Sequence, residues 1–215
     1  FVNYPTRFDC RDTTAALKGS GIACPDFKDY AWRLWDYWER HLDPDLHIDR
    51  SLRGTVAGKV VLVTGGSSGI GLAAAHKFAE AGATTIICGR DQDKLDAVRL
   101  KCISAGGKAW VHVAEVSDEA QMQALADTVH AQFPAIDILV NNAGVVMGGF
   151  TWEVEPADWK RLHDINVMGV VYGIRAFVPK MIERGQGGHV VNMASVSGFF
   201  GALGIHNGQH FGVRL

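Results

Sequence analysis

A chain of 215 residues is long enough to bury the core of one domain of ordinary size. Its 21 basic and 23 acidic residues leave a net charge of -2 with no block of like charge, which excludes the electrostatic footprint of a nucleic-acid or anionic-membrane binder and leaves small molecules or proteins as partners. Cys10, Cys24, Cys88 and Cys102 form no Cys-x-x-Cys pair and no Cys/His spacing suited to zinc or to a disulfide framework, so reduced thiols, a cytoplasmic setting and no metal are expected.

Phe1 stands where a start methionine would, so the chain is expected to begin inside a longer polypeptide. No basic-then-apolar leader follows, and no apolar run approaches the roughly 18 residues of a membrane helix, so no transmembrane segment is expected. Residues 1–55 read as a linker or as the tail of a preceding domain. Within them, "FKDYAWRLWDYWERHL" at 27–42 predicts a helix, because Tyr30, Leu34, Tyr37 and His41 recur at three- and four-residue steps beside Trp32, Trp35 and Trp38. An aromatic helix of this kind packs on a neighbouring domain more readily than it binds a ligand. The stretch "LDPDLHIDRSLRG" then reads as an irregular connector, broken by Pro44 and ended by Gly54.

From residue 56 onward, short Val/Ile-rich runs alternate with longer helical patterns. Strands are predicted at 59–64, 84–88, 108–113, 136–140 and 189–193, and helices at 70–81, 91–105, 117–132 and within 156–183. Continuous apolar strands between amphipathic helices imply a parallel sheet covered on both faces and joined by right-handed crossovers. The expected fold class is therefore α/β, a doubly wound parallel sheet of the Rossmann type over 56–215, preceded by a helical linker segment.

The string "VVLVTGGSSGIG" follows the first strand and opens the first helix of this region. Gly65, Gly69 and Gly71 remove side chains where the backbone must turn and approach a pyrophosphate, whose charge then meets the positive helix N-terminus near Ile70. Thr64 ends the strand, and Ser67 and Ser68 add hydroxyl donors. A strand before the glycines, a helix after them and a second strand about twenty residues on give the motif its context. That second strand ends in "ICGR": Gly89 occupies the place of an acid that would accept from the adenosine ribose of NAD, and Arg90 offers a guanidinium suited to a 2'-phosphate. NADP(H) is expected in preference to NAD(H).

"TGGSSGIG" (64–71), "NNAG" (141–144), Asn166 in "DINVMG" and Ser195 in "VVNMASVSG" together resemble the short-chain dehydrogenase/reductases, over 56–213 and in the family's order. The resemblance implies hydride transfer between a nicotinamide and a carbonyl or alcohol. It assigns Asn142, Ala143 and Gly144 to the adenosine side, Asn166 to a proton-relay water, and Ser195 to polarising the substrate oxygen. Glu115, with Val116 after it, stands where the family commonly has an aspartate near the adenine. The segment "DYAWRLWDYWERHLDPDLHIDRSLRG" is similar to the linker between the two reductase domains of bacterial alcohol-forming fatty acyl-CoA reductases, which implies a fatty acyl thioester or fatty aldehyde substrate and a homo-oligomeric parent protein.

The family's acid/base is a tyrosine in Tyr-x-x-x-Lys about thirteen residues after the serine, its phenol made acidic enough by the lysine and the nicotinamide. Counting from Ser195 reaches Gly208, and four further on stands Gly212; Tyr172 is the sole tyrosine after the linker and reads as a helix-face residue. The sequence also ends before the helix and last strands that the resemblance leads one to expect, which would leave the fifth strand as an uncovered edge. On this reading the domain is C-terminally incomplete and inactive, and a non-catalytic nucleotide-binding or scaffolding module is the alternative. "HN" (206–207) still resembles the stretch before the tyrosine, and "FGVR" (211–214) the stretch after the lysine. A motif core Ser-Ala-Ser-Lys encoded TCG-GCC-AGC-AAG, read displaced by two bases, gives GGC-CAG-CAA, which is Gly-Gln followed by a codon one base from His. Gly208, Gln209 and His210 therefore fit a short out-of-frame read, in the gene or its sequencing, better than evolution of a new function. Resequencing the locus is expected to recover Tyr and Lys codons or a shifted-frame remnant of them; codons without that relation would refute the idea.

Overall fold

The computed structural model describes residues 11–22, 25–41, 49–148 and 152–195, and the chain divides into two compact units at Ile48/Asp49. In the first unit lie α1 (Arg11–Ala16) and α2 (Phe27–His41). The expected aromatic helix is present as α2, with Trp32, Trp35 and Tyr37 more than half exposed. Trp35 packs on Trp38, one turn along, and the ring of Tyr37 stacks on His41.

The second unit opens with α3 (Leu52–Val56) and continues β1 (Val60–Thr64), α4 (Gly69–Glu80), β2 (Thr84–Gly89), α5 (Gln92–Ser104), β3 (Lys108–Val113), α6 (Glu119–His130) and β4 (Ile138–Asn141). After it come α7 (Pro156–His163), a π-helical turn (Asp164–Met168), α8 (Gly169–Arg184) and β5 (His189–Asn192). All neighbouring strands pair in parallel, in the order β3-β2-β1-β4-β5. The doubly wound parallel sheet expected from the alternating pattern is thus the observed fold.

Burial explains why the strands read as unbroken apolar runs. Val61 and Val63 of β1 point to one face, with Ile87 and Val140, and pack on Ala75 and Ala79 of α4 and on Leu95 and Val98 of α5. Leu62 points to the other, with Ile86 and Leu139, against Met122 and Leu125 of α6 and Phe177 and Met181 of α8. A strand sandwiched between two helical layers has no polar face to alternate with. Helix starts are set by capping: the side chain of Asp91 accepts from Lys94 N–H and that of Asp118 from Gln121 N–H, so α5 and α6 begin one or two residues later than periodicity alone suggests.

The helical stretch expected within 156–183 is one continuous run from Pro156 to Arg184, broken in register by the π-helical turn. Contrary to the expectation that no segment has the length and apolarity of a membrane span, this 29-residue run does. Its apolar residues Leu162, Ile165, Phe177 and Met181 are buried within the domain, while Arg161, Arg175 and Lys180 face outward. Such a helix, lying on a sheet, passes the same compositional test as a membrane span. Along β5 only Val190 and Asn192 are half-buried, and Val191 and Met193 keep 42% and 44% of their surface exposed.

At the other end of the sheet Asp137 ties four elements together. Its carboxylate accepts the Val60 N–H at 2.7 Å and pairs with Arg184 Nη1 at 2.7 Å, where the Arg184 side chain keeps 14% exposure. Its backbone N–H donates to Val60 O, and its carbonyl accepts from His189 N–H. Asp137→Ala leaves a half-buried guanidinium without its anion and is expected to lower the unfolding free energy by about 3 kcal/mol. Removing the exposed Lys180–Glu183 pair as Glu183→Gln is expected to leave the urea midpoint nearly unchanged, because solvent screens an exposed ion pair, so urea denaturation separates the two.

Candidate active site

β1 and β4 lie side by side at the point where the strand order reverses, and the loops leaving their C-terminal ends diverge to open a crevice. These loops are held by one buried hydroxyl and one amide. Thr64 Oγ1 accepts the backbone N–H groups of Asn142 (3.0 Å) and Ala143 (3.1 Å), and the Asn142 side-chain amide donates to the carbonyls of Thr64 (3.0 Å) and Gly65 (3.2 Å). Packing between the loops is close enough to specify glycine. Gly65 has φ +63°, and a Cβ there would lie 2.7 Å from the Ala143 Cα; at Gly71 a Cβ would collide with the Asn142 amide and the Gly65 carbonyl.

The first turn of α4 follows. Ser68 is its N-cap, yet the Ser68 side chain makes no capping hydrogen bond, in contrast to Ser51, Asp91 and Asp118 at α3, α5 and α6. An α-helix leaves its first N–H groups without intrahelical partners, so this 12-residue helix presents donors and the positive end of its dipole toward the cleft. The cleft has a volume of about 310 Å³ and is lined by Gly65, Ser67, Ser68, Ile70, Arg90, Glu115, Val116, Asn142, Ala143 and Gly144 from the expected set, together with Gly89, Ala114, Val145 and Ile165. Thr64 and Gly71 are buried behind this lining, and Gly69, exposed and at φ +53°, opens α4 beside it. The glycine cradle, the uncapped helix end and a groove of this size fit a dinucleotide.

At the outer end of the cleft Arg90 Nη1 lies 3.4 Å from Glu115 Oε2, with side-chain exposures of 58% and 29%. The second carboxylate oxygen of Glu115 accepts the Ser117 N–H at 3.5 Å. This carboxylate is therefore turned to Arg90. Beneath them the Cys88 thiol is pushed up to about 12, first by burial and then by the Glu115 charge, which makes it an unreactive part of the core.

Asn166 sits in the π-helical turn. Its amide oxygen accepts the Val145 N–H and its amide nitrogen donates to the Val145 carbonyl, both at 2.9 Å. Through these two bonds the side chain fixes the loop after "NNAG". Ser195 lies three residues beyond β5, at the same end of the sheet, and is exposed and outside the cleft lining. Tyr172 packs on α8 against the core cluster, away from the cleft. Gly208 and Gly212 fall outside the described residues. The π-helical turn and the linings from Ala114, Val145 and Ile165 had no signal in the residue pattern beyond their nearness to expected site residues.

Residues 59–207 match the sequence profile of the family described as short chain dehydrogenase. The chain belongs to the short-chain dehydrogenase family. It is 36% identical over 162 residues to an NADP-dependent (R)-specific alcohol dehydrogenase of Lentilactobacillus kefiri, covering 74% of this chain and 63% of that protein. Among solved structures it resembles a short-chain dehydrogenase/reductase from Burkholderia phymatum in complex with NAD, with TM-score 0.68 and 38% identity over 71% of this chain and 54% of that one. It also resembles a metagenomic short-chain oxidoreductase in complex with NADP, with TM-score 0.64 and 39% identity over 67% and 65%. In each case the chain spans less than two thirds of its relative's length.

Proposed function

We propose that the chain is the nucleotide-binding part of an NADP(H)-dependent carbonyl reductase, and that the parent protein reduces a fatty acyl-CoA or fatty aldehyde. One observation carries the cofactor reading: a cleft bounded at one end by the uncapped N-terminus of α4 and at the other by the Arg90 guanidinium. The first-turn N–H groups after Ser68 hold the pyrophosphate, and Arg90 holds the 2'-phosphate as a charge-assisted donor. The family resemblance assigns the adenosine side to Glu115, Val116 and Asn142 through Gly144. A bound nicotinamide supplies or accepts the hydride. The Ser195 hydroxyl donates to the substrate oxygen and so stabilises the charge that develops on it.

The substrate class rests on the likeness of the aromatic linker segment to that of the fatty acyl-CoA reductases. Buried free thiols at Cys88 and Cys102 are compatible with a reducing, cytoplasmic setting. Residues 1–55 are then the tail of a preceding domain and 56–215 the reductase domain, and assembly of the parent into a homo-oligomer follows the family. Proton transfer is the step this sequence does not provide. Gly208 and Gly212 carry no group to give or hold a proton, so the chain binds nucleotide without turning over. A non-catalytic nucleotide-binding or scaffolding module is the second reading, favoured by the same two glycines.

Titration is expected to show NADPH bound about tenfold more tightly than NADH, an ion pair to phosphate contributing about 1.5 kcal/mol; Arg90→Ala is expected to erase most of the difference. Equal curves for the two cofactors on the unmodified chain would remove the NADP reading. The purified chain is expected to consume no NADPH with a fatty aldehyde or fatty acyl-CoA. Substrate-dependent consumption that Ser195→Ala abolishes would mean that another residue supplies the acid.

A further inference from the structure

Arg90 and Glu115 leave adjacent parallel strands at the same level. Gly89 of β2 is in register with Val113 of β3, and the Ala114 N–H donates to the Gly89 carbonyl at 2.9 Å, so the next residues on both chains project at one end of the cleft. The two side chains differ in how they are held. Glu115 is fixed on several sides: its backbone N–H donates to Gln121 Oε1 at 2.9 Å, Gln121 Nε2 donates to Asp118 at 2.9 Å, and its own carboxylate accepts from Ser117 N–H. Arg90 is 58% exposed and reaches Glu115 through a single nitrogen, Nη1, at 3.4 Å. A fixed carboxylate thus holds a movable guanidinium by one arm of its fork, with the other donors open to the cleft.

We propose that Glu115 is a specificity-determining residue that acts through Arg90, holding the guanidinium at the mouth of the cleft while offsetting its charge, so that discrimination between NADP and NAD is weaker than Arg90 alone would give. This rests on the reading of Arg90 as the 2'-phosphate ligand. A phosphate that reaches the remaining donors of Arg90 settles near the Glu115 carboxylate, whose like charge opposes it. An unphosphorylated ribose meets no such opposition. The extra methylene relative to the family's aspartate is what carries the Glu115 oxygen across to Arg90. A carboxylate set against the guanidinium is therefore a counterweight, where the family resemblance alone assigns the position to the adenine.

The test is a set of binding titrations of the whole chain with NADPH and NADH, and with 2',5'-ADP and 5'-AMP, which carry only the adenosine end. The proteins are the unmodified chain, Glu115→Gln, Glu115→Asp, Arg90→Ala and the Arg90→Ala/Glu115→Gln pair. Glu115→Gln is expected to tighten NADPH and 2',5'-ADP about five- to tenfold while changing NADH and 5'-AMP less than about twofold. Glu115→Asp, too short to hold the guanidinium, is expected to fall between. In the Arg90→Ala background Glu115→Gln is expected to alter NADPH binding by no more than about threefold, the size of a screened through-space repulsion. Equal weakening of all four ligands by Glu115→Gln would assign the carboxylate to the adenine and overturn the proposal. So would a tightening of NADPH that is the same with and without Arg90. An Arg90→Ala variant that keeps the unmodified NADPH:NADH ratio would instead overturn the reading of Arg90 itself, and this inference with it.

Discussion

The cleft depends on the contact between Thr64 and Asn142. Parallel strands diverge in their connections at a switch point, and nothing in the sheet ladder holds the two outgoing loops together there. A buried hydroxyl that accepts two backbone N–H groups, and an amide that donates to two backbone carbonyls, replace the missing ladder with side-chain bonds. Four backbone groups that would otherwise be buried without partners are satisfied by two side chains. The glycines follow from this contact, since the loops it draws together leave no room for a Cβ at Gly65 or Gly71.

Closing the loops with side-chain bonds while leaving the α4 cap unmade divides the tasks of stability and binding. The other helices of the same layer, such as α5, satisfy their first turn from their own N-cap. α4 leaves that satisfaction to water or a ligand, and a ligand that supplies it raises the stability of the folded state in proportion to the logarithm of its concentration over its dissociation constant. The same asymmetry runs through the site's charges. Asp137 and Arg184 neutralise each other at the far end of the sheet, away from the cleft, whereas Arg90 at the near end is held by one nitrogen and stays mostly exposed.

Much of this was legible in the residues. The unbroken apolar runs gave the strands, because a strand covered on both faces has no polar side, and the glycine spacing placed the loop. Caps moved helix starts by a residue or two, since Asp91 and Asp118 act through their own backbone geometry, which periodicity does not sense. Asn166 was found by its motif, but a motif identifies a position, while the partner of its amide, the Val145 backbone, is decided by which loop folds against it. Asp137 carried no signal at all, because its importance comes from Val60 and Arg184, 77 residues before it and 47 after it. Glu115 was seen as a departure from a family pattern, but its pairing with Arg90 depends on the register of β2 and β3, which no local stretch encodes.

The π-helical turn at Asp164–Met168 has a consequence for how the long helical run reads out its own sequence. An α-helix advances about 100° per residue, and one surplus residue wound into a single turn resets the angular phase of everything beyond it. Across the turn Ile165 and Gly169 are both buried, and within α8 the burial continues at Gly173, Phe177 and Met181. The turn absorbs that surplus residue, so α7 and α8 keep the mutual phase of an unbroken helix one residue shorter: excising one residue there would restore ideal winding and keep the inward face of α8 on the sheet, whereas straightening the turn with all its residues kept would swing that face toward solvent.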